Sequence, residues 1–130
     1  MNRGCEEAEE PKSAGLTHKN LEVWRLGIEI VELIYKMTGS FPRRDYGLIS
    51  DMRRAAVSVP SNIAEGAARN SNKEFIHFLY ISLGSLAELE TQVTIANRLD
   101  YIADAQNIFE VIEKERRKLL NYIKYQKGKL

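Results

Sequence analysis

One cysteine, two histidines, three prolines and eight glycines leave this chain without several devices on which small proteins rely. Cys5 has no second thiol to pair with and no histidine near it in sequence, which excludes an internal disulfide and a cysteine-based metal site and points to a reducing compartment. With proline and glycine scarce, and Gly4, Pro11 and Gly15 gathered near the start, the remainder can carry long helices. No run approaches the roughly 18 apolar residues that span a bilayer, and the opening residues Met1 to Glu7 lack the basic start and apolar stretch of a secretory signal. The expected location is the cytoplasm. An excess of one charge is missing too: 19 Lys and Arg face 18 Asp and Glu, so the net charge of +1 makes no global case for a polyanionic partner.

What is present suits a single folded domain. The 130 residues are 44% hydrophobic and 28% charged, ordinary soluble usage and enough chain to enclose one core. Charge is unevenly spread. Glu6, Glu7, Glu9 and Glu10 crowd the opening, whereas Lys114, Arg116, Arg117, Lys118, Lys124, Lys127 and Lys129 crowd the end, so the body is more basic than the whole.

Residues 1–18 hold almost nothing apolar and are expected to form a flexible tail, because they cannot offset the entropy of ordering. A bundle is expected over 19–127, with 128–130 as a short end. Helix one is expected over 21–37, with Leu21, Trp24, Ile28, Val31 and Tyr35 in one apolar stripe and Val23, Leu26, Ile30, Leu33 and Met37 in a second. Gly39 to Pro42 should stop it. Helix two should begin near Asp45 and turn Leu48, Met52, Ala56, Val59, Ile63 and Ala67 inward, bending at Pro60 without ending there. Its many small residues, among them Ala55, Ser58, Ser61, Ala64, Gly66 and Ala67, permit close approach of a neighbour.

Ser71 followed by Glu74 reads as a capping box that opens helix three. Phe75, Leu79, Ser82, Leu86, Leu89, Val93 and Ala96 then alternate steps of four and three, the rhythm of bundle packing. Asp104 can cap a fourth helix running to about Gln126, with Ile108, Ile112, Leu119, Tyr122 and Ile123 inward. Four helices on short links must run up and down, so the fold class is all-α, an antiparallel up-and-down four-helix bundle.

Catalytic and metal chemistry lack their parts. A two-metal carboxylate bundle needs Glu-x-x-His on two helices; Glu74 to His77 supplies one copy, and the other histidine, His18, borders the tail. Small helical ribonucleases that use an Arg and a His four to six residues apart are not matched by Arg69 and His77, which are farther apart and split by the capping box. No nucleophile elbow, phosphate loop or Cys–His pair appears. No enzyme activity and no cofactor are expected.

Two polar constellations remain. On helix two, Arg54, Ser58, Asn62, Glu65 and Arg69 fall three or four apart and form one ridge. Its plain reading is a solvated face with helical ion pairs; the sharper one is a buried or subunit-spanning hydrogen-bond network joining Ser58, Asn62 and Glu65 to Glu88 and Glu90 across the bundle. On helix four, the run Arg116, Arg117 and Lys118, followed by Lys124 and Lys127, is either a solvated helix surface or a phosphate contact, with Tyr122 and Tyr125 able in principle to stack bases.

The residues Leu21 to Trp24, Phe41-Pro42, Tyr46 to Leu48, the run RRAAVSVPSNIAEG from Arg53 to Gly66, Glu74-Phe75, Leu83 to Ser85, and Glu88 to Gln92 together resemble the four-helix-bundle family associated with intervening sequences of 23S ribosomal RNA. The resemblance covers roughly residues 19–125. It implies a bacterial helical bundle assembled as a homopentamer, with no catalytic residues to carry over. It also implies similarity to the accessory protein of diversity-generating retroelements, which engages a reverse transcriptase and nucleic acid. The leading expectation is therefore a self-assembling RNA- or ribonucleoprotein-associated scaffold, with Arg53, Arg54, Arg69, Lys73, Arg116, Arg117 and Lys118 as candidate phosphate contacts. The alternative is a protein-interaction module that holds a polymerase-like partner.

Overall fold

The computed structural model describes residues 18–130. The expected N-terminal tail, apart from His18, and Cys5 therefore lie outside the described residues. A 3-10 turn, His18–Asn20, leads into α1, Glu22–Thr38. A second 3-10 turn, Arg43–Asp45, leads into α2, Tyr46–Ala67, followed by α3, Asn72–Arg98, and α4, Gln106–Lys127. No strand occurs among the described residues. Each helix packs on its sequence neighbours, and α1 also packs on α4, while the backbones of α1 and α3, like those of α2 and α4, stay apart across the diagonals of the bundle. With only 68–71 between α2 and α3 and 99–105 between α3 and α4, successive helices must reverse direction. The result is an up-and-down four-helix bundle.

Periodicity located the core best on α3. Phe75, Leu79, Ser82, Leu86, Leu89, Val93 and Ala96 are all buried. On α2, Met52, Ala56, Val59 and Ile63 are buried, while Leu48 and Ala67, near the helix ends, are half-buried. On α4, Ile108, Ile112, Leu119 and Ile123 are buried and Tyr122 is half-buried.

The α1 register differs from the expected pair of stripes. Its buried line runs through Val23, Leu26, Gly27, Ile30, Ile34 and Thr38, which takes three residues from the second stripe and none from the first. Trp24, Ile28 and Val31 are half-buried and Tyr35 is exposed. The helix touches both α2 and α4, so its two flanks are partly covered and the residues between them are fully covered. Thr38 joins this line because its hydroxyl donates to the Ile34 carbonyl at 2.7 Å and satisfies itself within the helix.

The helix ends show why the breaks fall where they do. Ser71 Oγ accepts from the Glu74 N–H at 3.2 Å, the first half of a capping box. Gly39 stands at the C-cap of α1, yet in right-handed conformation. The left-handed position falls instead at Asp100, φ 64°, after α3. There the Tyr101 N–H donates to the Ala96 carbonyl and the Asp100 N–H to that of Asn97, both at 3.0 Å, the paired bonds of a Schellman stop. Asp104 Oδ1 accepts from the Gln106 N–H at 3.0 Å, so this side chain does tie down the start of α4 while Ala105 occupies the cap position. Pro60 stays inside an unbroken α2. Among the described residues no helix is long and apolar enough to cross a membrane.

Candidate nucleic-acid interface

The long motif on α2 is chiefly a packing device against α3. Gly66 makes room for two phenyl rings: a Cβ there would stand 2.7 Å from Phe78 Cβ and 2.9 Å from Phe75 Cδ1. Two turns earlier, the buried Ser82 hydroxyl donates to the Val59 carbonyl at 2.8 Å, immediately before Pro60. Ser58 Oγ and Ser85 Oγ share a hydrogen bond of 2.8 Å, and Asn62 Nδ2 donates to both the carbonyl and the hydroxyl of Ser58 at 2.9 Å. Small side chains on both helices bring these hydroxyls within reach.

Of the five residues placed by sequence in one polar network, the structure thus brings Ser58 and Asn62 together. Glu65 turns instead to Arg69, at 2.9 Å. Glu88 is exposed on the outer side of α3. Glu90 faces α4, where its charge acts on Arg116. Ser82 and Ser85 complete the α2–α3 contact, and sequence reasoning missed their role. The signal was present: two serines three apart on a helix, opposite a row of small residues.

The seven candidate cations fall into distinct settings. Arg53 is half-buried between α1 and α2, its Nε donating to Thr38 Oγ1 at 2.9 Å and its guanidinium lying 4.5 Å from the Tyr35 ring centroid. Arg54 pairs with Asp51. Arg69 spans Glu65 and Glu74 and lies over the Phe78 ring at 4.8 Å. Arg116 Nε donates to Glu113 at 2.9 Å, which holds the Glu113 carboxyl below its ordinary range despite partial desolvation. Lys118 reaches Glu22 on α1 at 3.2 Å. Lys73 and Arg117 are exposed with no ion pair among the described residues. Exposed pairs of this kind add little to stability, but each acid lowers the positive potential its partner can offer a phosphate.

A less neutralised surface lies at the C-terminal end of α4. From Lys118 to Leu130 the sequence holds no acid. Lys124, Lys127 and Lys129 have no ion pair among the described residues. Lys127 Nζ lies 5.2 Å from the Tyr80 ring centroid on α3, and Lys129 Nζ lies 4.6 Å from that of Tyr125. Tyr125 in turn stacks on Tyr122 with centroids 6.0 Å apart. Tyr122 sits deeper, against Phe75, and burial raises its hydroxyl pKa while a hydrogen bond with Gln126 opposes the rise.

The most unusual titratable group lies in the core, inward of these surfaces. Glu115 occupies the core position between Ile112 and Leu119 and is fully buried, with neither carboxyl oxygen hydrogen-bonded among the described residues. Burial pushes it up to about 8, against the pull of Lys118. Among the described residues no group of three or more His, Cys, Asp or Glu side chains comes together that could hold a metal.

No curated protein matches the chain. The model of the family described as 23S rRNA-intervening sequence protein matches residues 19–124, from the turn before α1 almost to the end of α4. That span contains all four helices except the last residues of α4, and the chain belongs to the 23S rRNA-intervening sequence protein family.

Proposed function

We propose that this protein is a non-catalytic, self-assembling scaffold whose copies pack head to tail into a closed ring and whose basic surface associates with RNA or a ribonucleoprotein. The observation that carries the reading is the outer side of α3. Gly84 stands in the middle of that 27-residue helix with nothing among the described residues within 4 Å of the place a Cβ would take. A glycine in a helix interior costs about 0.5–1 kcal/mol relative to alanine, and contacts among the described residues give no return for it.

Ile81, one turn before Gly84, and Ile95, three turns after it on the same side of the helix, are exposed, so a second copy could approach the α3 backbone closely and cover both. A different apolar surface lies between α1 and α2, a groove of about 420 Å³ lined by Tyr35, Tyr46, Ile49 and Val57 with Arg53 and Arg54. Two unlike patches on different sides are what a head-to-tail contact requires, and such a contact closes into a ring when its rotation allows. Five copies is the count that the family resemblance implies. The RNA association is supported by the family's description and by the cations at the end of α4, which have no ion pair among the described residues.

Light scattering after gel filtration, read with the ratio of absorbance at 260 and 280 nm, tests both parts together. The wild-type chain should elute as a closed oligomer larger than a dimer, and Gly84→Arg should reduce it to a helical monomer by circular dichroism. A monomeric wild type would sink the assembly. After nuclease treatment and clean-up, the protein should bind RNA with an affinity that falls steeply with salt; absence of salt-dependent binding removes the RNA part.

A further inference from the structure

We propose that the strip running across the C-terminal end of α4, from Tyr80 on α3 through Lys127 and Lys124 to Tyr125 and Lys129, is a stacking platform for single-stranded RNA, an assignment that rests on the RNA-associated role proposed above. Three features of the strip together fit that ligand, and the mid-helix run Arg116 to Lys118, in which Arg117 alone has no ion pair among the described residues, does not combine them. The first is charge. Arg116 and Lys118 are each held by a carboxylate, whereas Lys124, Lys127 and Lys129 have none among the described residues.

The second is aromatic surface. The rings of Tyr80 and Tyr125 are exposed, 44% and 58%, at either side of α4, and each has a lysine ammonium within about 5 Å of its centroid. A tyrosine ring offers its face to any base, so stacking is tolerant of sequence, and a neighbouring ammonium can meet the phosphate that follows the base. The third is support. Tyr125 rests on Tyr122, which is wedged against Phe75 on α3, so one platform ring is already positioned by the core before a ligand arrives. Duplex RNA keeps its bases stacked inside and presents backbone and a shallow minor groove, which leaves exposed rings without a partner. The pairing of exposed rings with free ammonium groups therefore selects for unpaired bases.

Fluorescence anisotropy with a labelled, unstructured 15-nucleotide RNA, and with the same strand annealed to its complement, tests the assignment on the full chain. The single strand should bind more tightly than the duplex. Tyr125→Ala and Tyr80→Ala should each weaken it by about 5- to 150-fold, and Tyr125→Phe should restore most of the loss because the ring is kept. Replacing Lys124, Lys127 and Lys129 together by alanine should reduce the slope of log affinity against log salt by about 2, at roughly 0.7 per phosphate contact on a single strand. Arg116→Ala with Arg117→Ala should do less than the lysine triple variant. If wild type binds RNA while the tyrosine and lysine variants bind as wild type does, or the duplex is preferred, the strip is wrong and RNA association stands elsewhere on the chain. If wild type binds neither form, the RNA-associated role fails and the strip with it. Circular dichroism of each variant separates loss of binding from loss of fold.

Discussion

The carboxyl of Glu115 on α4 reaches the space left by the missing side chain of Gly27 on α1: a Cβ on Gly27 would lie 3.4 Å from Glu115 Oε2 and 3.3 Å from Pro60 Cβ. Three helices meet at that point, and the acid among them is neutral at pH 7 because burial raises it to about 8. In the unfolded chain the same group titrates near the ordinary value of 4.5. Between those two values the unfolded chain releases this proton while the folded chain keeps it. Its contribution is therefore fully present below about 4.5 and declines as pH rises to about 8, by at most about 1.4 kcal/mol per pH unit. Glu115→Gln cannot titrate, so in urea denaturation its stability should gain on wild type steadily from pH 5 to pH 8. Parallel pH profiles for the two proteins would show that the carboxyl is not buried as described.

Gly66→Ala should be strongly destabilising although alanine is the better helix former. The new Cβ would meet Phe78 Cβ and the Phe75 ring at under 3 Å, with the Phe75 carbonyl at 3.3 Å, so α2 and α3 must move apart. Overpacking of this kind costs about 1–3 kcal/mol, more than the helix preference of roughly 1 kcal/mol returns. The midpoint of chemical denaturation should fall; an unchanged midpoint would mean that the two helices are less closely packed.

Asp100→Gly should act in the opposite direction. Asp100 has φ 64° and makes its Schellman bond from that conformation, which glycine adopts without steric cost. A gain of about 0.5–1 kcal/mol in urea denaturation is expected. A loss would show that the aspartate side chain contributes more than its backbone strain.

Ser82→Ala removes a buried hydroxyl that donates to the Val59 carbonyl next to Pro60. Loss of such a bond costs about 0.5–1.5 kcal/mol. Hydrogen exchange should show the middle of α2 losing protection before the ends of α3 do; uniform loss would argue that the bond has no local role.

Much of this was legible from spacing. The a/d rhythm of α3 placed seven inward residues, and the Ser71 cap and the short links fixed where α3 starts and how the helices reverse. Glu115 was not legible, because a charged residue in a core position breaks the apolar pattern that reveals the others. The turn of α1 was also hidden: Gly27 reads as a gap in sequence, yet its smallness is what lets Pro60 and Glu115 approach. Among the cations, sequence gave proximity along the chain and not the carboxylates across it. Lys118 looked as available as Lys124 until Glu22 on another helix was seen to hold it.

The start of α1 and the end of α4 lie side by side, with Leu21, Glu22 and Val23 facing Lys118, Tyr122 and Tyr125 across one groove. The four helices therefore form a closed circuit in space, and the order in which the backbone visits them is a matter of where it is cut. A short tether from the end of α4 to the turn before α1, with new termini opened at the exposed residues Arg69 and Asn70, would give a circular permutant with the same core and the same surfaces.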